Sequence, residues 1–199
     1  MQALESQTLI LYHTDLRGEW PENAACALRA RLPYARRLAL ASSSEATRSS
    51  LAGIALALRA LSALLGHAVS AAQLRFERGE KPSLAAAGAP RADFSISHSG
   101  PWVGCAALAG GRVGLDIEVG AGERIEGFVA REAALKGAGI GLRGFGEVRL
   151  HEGGASCCGE LWHARPLDFF PGAAACVMTS RAVNAFDARA LPLGELFGP

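Results

Sequence analysis

The chain has 199 residues, half of them hydrophobic, 20% charged and 7% aromatic, with a formal net charge of +1. These values exclude a disordered or fibrous chain and leave no electrostatic footprint for nucleic acid. The length fits one large α/β domain or two halves of about 100 residues each, and either can bury a core.

In chain order, the apolar run Thr8-Leu9-Ile10-Leu11-Tyr12 predicts a first strand. A helix over 24–32 follows and is stopped by Pro33. Ser42, with Glu45 three residues on, has the form of a capping box opening a long Ala- and Leu-rich helix that Gly66 closes. Arg59 and Ser62 interrupt the most apolar stretch of that helix, so no run is expected to reach the roughly 18 apolar residues of a membrane span. Short strands are expected at 74–76 and 94–96, separated by a loop rich in Gly, Pro and Ala. A strand over 103–108, a Gly110-Gly111 turn, a strand over 112–118 and a helix over 127–138 come next, followed by strands near 148–150, 161–164 and 173–178. The tail after Arg181 reads as a loop and a last edge element. The expected fold is therefore α+β: two similar α/β lobes, 1–100 and 101–199, in pseudo-twofold arrangement. Each would carry a small, mostly antiparallel sheet and one main helix, with a ligand cleft between them.

The five cysteines, Cys26, Cys105, Cys157, Cys158 and Cys176, have neither zinc-ligand spacing nor the density of a disulfide scaffold. They read as reduced, mostly buried thiols. Residues 1–14 carry Glu5 and no basic run, so the start does not read as a secretory leader, and the expected location is cytoplasmic. Of the 20 basic residues only Lys81 and Lys136 are lysines. A compact ammonium differs chemically from a guanidinium, so a lysine that persists in an arginine-biased chain is a mild pointer to chemistry.

Four short elements carry that chemistry. In Gly114-Leu115-Asp116-Ile117-Glu118, strand alternation sends Asp116 and Glu118 to one face, about 7 Å apart, and buries Leu115 and Ile117 on the other. Such a pair suits a hard cation that also binds phosphate oxygens, although a lone D-x-E is more commonly the solvated edge of a strand. In Arg131-Glu132-Ala133-Ala134-Leu135-Lys136, Glu132 and Lys136 share one helical face, a pairing that alone is usually surface decoration, and a glycine-rich exit that allows close approach to a ligand follows. Ser97-His98-Ser99-Gly100 at a strand exit can bind a phosphate monoester, with His98 a donor when protonated; a structural turn histidine is the commoner reading. Gly79-Glu80-Lys81-Pro82 presents Lys81 on a stiffened loop, or is an ordinary turn.

In chain order, the Lys81-Pro82 loop, Ser97-His98-Ser99, Gly114-Leu115-Asp116-Ile117-Glu118 and then the helix with Glu132 and Lys136 closely resemble the 4′-phosphopantetheinyl transferase superfamily, in particular its two-lobed surfactin-synthetase-activating type, over 31–178. The resemblance implies Mg²⁺ held by Asp116, Glu118 and Glu132 against the pyrophosphate of coenzyme A. It further implies Glu132 as base toward a carrier-protein serine and Lys136 beside the leaving 3′,5′-ADP. Lys81, Ser97 and His98 would grip coenzyme A, joined more loosely by Arg31, Arg36, Arg37 and Arg48, for which an exposed helix face is an equal reading. The implied partner is an apo acyl or peptidyl carrier protein, and a monomer is the simplest assembly. Two departures stand out: Phe128 and Arg131 replace the usual Trp and Lys, and only a short connection joins Glu118 to Phe128. A coenzyme A or carrier-protein binding pseudoenzyme of the same fold is the alternative. An unrelated Mg²⁺ phosphohydrolase would leave the Lys81 loop and Ser97-His98-Ser99 unexplained.

Overall fold

Period-two alternation of apolar residues builds the strands, and it sorts them into faces that explain the whole architecture. The computed structural model describes residues 8–42, 44–77, 80–85 and 92–198. In chain order its elements are β1 (Thr8–Asp15), α1 (Glu22–Ala30), α2 (Tyr34–Ala39), α3 (Glu45–Leu65), β2 (Leu74–Arg75), β3 (Ser83–Leu84), β4 (Ala92–Ser99), β5 (Trp102–Ala109) and β6 (Val113–Val119). They continue with α4 (Glu123–Ala138), β7 (Arg149–His151), β8 (Gly154–Cys157), β9 (Glu160–Leu167), β10 (Ala173–Thr179), β11 (Ala185–Ala190) and α5 (Leu193–Leu196). The chain is thus α+β, as expected.

One sheet has the order β11-β1-β5-β4 and a second the order β6-β10-β9-β8-β7, with β2 and β3 as a separate ribbon. Even-numbered Ile10 and Tyr12 of β1 and odd-numbered Val103, Cys105 and Ala107 of β5 pack against α3. Leu9, Leu11, Ala106 and Leu108 on the opposite face share a core with Val113, Leu115, Ile117, Ala175 and Val177 of the second sheet. Beyond that sheet, Cys176, Met178 and Trp162 meet Val129, Ala133, Ala134 and Leu135 of α4. Helix, sheet, sheet and helix therefore form successive layers around three apolar cores. The sheets do not divide at residue 100. β5 and β11, both beyond it, belong to the first sheet, and β11 returns to pair in parallel with β1.

α3 begins differently from the capping box read at Ser42. Ser44 is the N-cap, and its hydroxyl accepts the Thr47 amide, while Ser42 bonds the Ser44 and Thr47 hydroxyls. Gly66 closes the helix in the left-handed conformation at φ 70°. Contrary to the sequence expectation, α3 is long and apolar enough to cross a membrane by length and composition, yet it is the core helix of the first sheet. Leu51, Ile54, Leu56 and Leu61 are essentially inaccessible, and truncating any one costs about 2–5 kcal/mol. The sequence reading passed over α2, β3, β8 and α5, all of six residues or fewer.

A side-chain seam joins the two sheets. β4 is the last strand of the first sheet and β6 the first of the second, and no backbone ladder pairs them. Instead, alternate side chains of β4 accept alternate amides of β6. Asp93 takes the Val113 N–H at 2.8 Å, Ser95 that of Leu115 at 3.0 Å, Ser97 that of Ile117 at 3.2 Å and Ser99 that of Val119 at 3.0 Å. An edge strand whose amides would otherwise be unmet is closed by oxygens of another sheet.

Candidate functional site

The seam delivers the Gly114-Leu115-Asp116-Ile117-Glu118 segment to α4. With Leu115 and Ile117 committed to the core between the sheets, Gly114, Asp116 and Glu118 face the other way. Gly114 is required there, because a β-carbon would collide with the Ala133 carbonyl and the Gly137 amide of α4. This close approach holds Glu132 and Lys136 of α4 over the strand. The short connection after Glu118 is made by Gly120 and Gly122, at φ 129° and 103°, with the Gly120 amide bonded to the Gly172 carbonyl. The chain thereby turns from strand to helix within three residues, four residues earlier than the helix start expected at Gly127.

Asp116, only 2% exposed, is the centre of the arrangement. Its Oδ1 accepts from Lys136 Nζ at 2.5 Å and from the Ser97 hydroxyl at 3.1 Å, and Lys136 also donates to Ser97 Oγ at 3.0 Å. The Ser99 hydroxyl donates to Glu118 Oε2 at 3.0 Å. Ser97 and Ser99 thus each take an amide and orient a carboxylate at once. Asp116 Oδ2 and Glu132 Oε1 are buried without a hydrogen-bond partner. Buried oxygens of this kind are costly to leave bare, and both retain the capacity to accept a further donor, a water or a cation.

Electrostatics tie the carboxylates together. Burial pushes Asp116 above the usual carboxylate range, against the pull of Lys136 and Ser97. Burial likewise raises Glu132, and the neighbouring charges of Asp116 and Glu118 add to the effect while Lys136 opposes it. His98, whose ring partly meets solvent, is held below the ordinary histidine value by the portion that is covered and then by the Lys136 charge, with Glu118 acting in the opposite sense. The shift favours the neutral imidazole, which opposes the protonated form in which His98 would donate as a cation.

Asp116, Glu118, Glu132, Lys136, Ser97 and His98 are accordingly gathered in one place. The remaining expected residues lie elsewhere. Lys81 donates to Asp93 at 2.6 Å and to the Val113 carbonyl at 2.8 Å, which installs it three residues back along β6, about 10 Å from Asp116 by the strand rise. Gly79 of its loop lies outside the described residues. Arg36 of α2 stacks on Phe76 at 5.0 Å, Arg37 on Tyr34 at 5.5 Å and Arg48 of α3 on Trp20 at 5.5 Å. Arg31 ends α1 and lines a hollow of about 1360 Å³ between α1, α3 and the C-terminal segment, which the carboxylates do not reach. The expected cleft between lobes is not where this hollow lies. Sequence reasoning missed Asp93 and Ser95, although the D-x-S-x-S-x-S spacing of 93–99 was its visible signal.

No protein-family model matches the chain, and no curated protein matches it either. Among the described residues no group of three acidic, histidine or cysteine side chains is arranged as a ready-made metal site. The fit to a hard cation rests on a smaller observation. Two buried carboxylate oxygens from a strand and a helix are bare, and oxygen is the donor that Mg²⁺ prefers when phosphate oxygens and water complete its shell.

Proposed function

We propose that this chain is a Mg²⁺-dependent 4′-phosphopantetheinyl transferase that moves phosphopantetheine from coenzyme A to a serine of an apo acyl or peptidyl carrier protein. The observation that carries the reading is the pair of unpartnered buried oxygens, Asp116 Oδ2 and Glu132 Oε1, beside the charges of Glu118 and Lys136. Asp116, Glu118 and Glu132 are the residues that would hold Mg²⁺, which supplies neutralisation of the diphosphate charge when bound.

In the proposed reaction the serine oxygen bonds to the phosphorus bearing pantetheine, and the bond from that phosphorus to the 3′,5′-ADP oxygen breaks. Glu132, whose basicity burial and the neighbouring carboxylates increase, accepts the serine proton. Lys136 carries a positive charge beside the departing phosphate. Ser97 and Ser99 hold Asp116 and Glu118 in fixed orientation, and His98 offers a neutral N–H to a coenzyme A phosphate oxygen. A cytoplasmic monomer of two pseudo-twofold lobes belongs to the same reading, supported by one main helix on the outer face of each sheet.

The experiment mixes the protein with coenzyme A, Mg²⁺ and a panel of apo carrier proteins and weighs the carriers. A carrier heavier by one phosphopantetheine is the expected result; unchanged carriers across the panel would count against transfer. One observation favours a second reading. Lys136 already pairs with Asp116, which opposes a metal there and favours a non-catalytic coenzyme A binder of the same fold; coenzyme A binding without any mass change would select it.

A further inference from the structure

We propose that Lys136 is the resident counter-cation of this site, and that a divalent ion enters only together with a diphosphate ligand that draws the lysine off Asp116. The inference deepens the reading above by taking its ligand class, but it concerns binding and requires no turnover. Asp116 is nearly inaccessible and has one oxygen occupied by the Lys136 ammonium and the other bare. An ionised carboxylate so placed needs a positive partner, and in the free protein that partner is Lys136.

A divalent ion sharing Asp116 and Glu132 would stand beside the ammonium, since Glu132 and Lys136 lie one turn apart on α4. Like charges at that separation repel, so the ion alone is opposed by the residue already there. The lysine can leave without disturbing the fold. Its side chain is 32% exposed and sits on a flexible stem near the end of α4, whereas Asp116 is fixed by β6 and by Ser97. Ser97 loses one donor when Lys136 departs but keeps the Ile117 amide and its own bond to Asp116. A diphosphate suits the exchange because it brings anionic oxygens for both cations, giving Lys136 a new partner and the metal its missing ligands.

Equilibrium dialysis with Mn²⁺ as probe tests this, using wild-type protein, Lys136→Met and Asp116→Asn, each with and without inorganic pyrophosphate in both chambers. Wild-type protein should retain Mn²⁺ weakly alone and about tenfold more tightly with pyrophosphate. Lys136→Met should retain Mn²⁺ alone about tenfold more tightly than wild-type and gain little from pyrophosphate. Asp116→Asn should lose retention in both conditions. Lys136→Met binding Mn²⁺ no better than wild-type, with circular dichroism showing it folded, overturns the proposal. If Lys136→Met does not fold, Lys136→Gln takes its place, and a failure of Mn²⁺ to raise the melting temperature of that variant overturns it equally. The outcome is separate from that of the carrier assay: dialysis can succeed where transfer fails, or fail where transfer succeeds.

Discussion

The two ends of the seam between β4 and β6 are built from the same parts and finished differently. At one end Asp93 meets Lys81 and the Val113 amide, and Lys81 also meets the Val113 carbonyl, so donors and acceptors are matched. At the other, Asp116 meets Lys136 and Ser97 but keeps a bare oxygen, as does Glu132 close by. Both pairs place a lysine on an aspartate, at 2.6 Å and 2.5 Å. The difference teaches that an ion pair is not by itself a sign of chemistry. What distinguishes the second end is the polar capacity left over after folding.

The largest expected effect would break this contrast if it appeared at the wrong end. Asp116→Ala or Glu132→Gln should lower transfer to an apo carrier by about 100-fold or more, whereas Asp93→Ala should stay within a few-fold of wild-type once corrected for the folded fraction. Equal losses at both ends, measured by the time course of carrier mass, would erase the distinction. Stability should show the reverse order. Asp93→Ala strands the Lys81 ammonium and the Val113 amide, at a cost of about 3 kcal/mol, while Asp116→Asn removes an incompletely paired buried charge and should change urea stability by less than about 1 kcal/mol. Gly114→Ala should act on both quantities, because the added methyl lifts α4 from β6: about 3 kcal/mol of stability, with Glu132 and Lys136 displaced and transfer lost.

Smaller effects sharpen the picture. Lys136→Met should move the His98 titration upward toward the ordinary histidine value, because the lysine charge disfavours the imidazolium; ring-proton NMR over pH reads this directly. Among the thiols, Cys158 should react first with a disulfide reagent at neutral pH, being exposed. Cys157, pushed up to about 11, and Cys176, pushed up to about 12 by burial, should react only on unfolding.

Much of the site was legible because its residues obey local periods. Asp116 and Glu118 lie two apart on a strand, Glu132 and Lys136 four apart on a helix, and both expectations correspond to the faces observed. The partners were less legible, since nothing local says that Ser97 and Ser99 serve amides 20 residues away while orienting carboxylates. The resemblance implies Lys81 as a coenzyme A contact, whereas its pairing with Asp93 is a tertiary fact that no local pattern shows. The α+β class followed from alternation, yet the return of β11 to β1 is non-local. The N-cap slipped from Ser42 to Ser44 because several hydroxyls stand close enough to compete for it.

Because hydroxyl and carboxylate oxygens, not strand carbonyls, receive the alternate amides of β6 that face away from β10, this joint carries its own reporter. Deuterium uptake at the amides of Val113, Leu115, Ile117 and Val119 reads the seam one rung at a time. The rungs next to Asp116 should breathe faster than the Lys81 rung in the free protein and slow when a diphosphate and a divalent ion settle there. Uptake compared over time with and without the diphosphate and the divalent ion then follows the site's occupancy with no carrier protein at all.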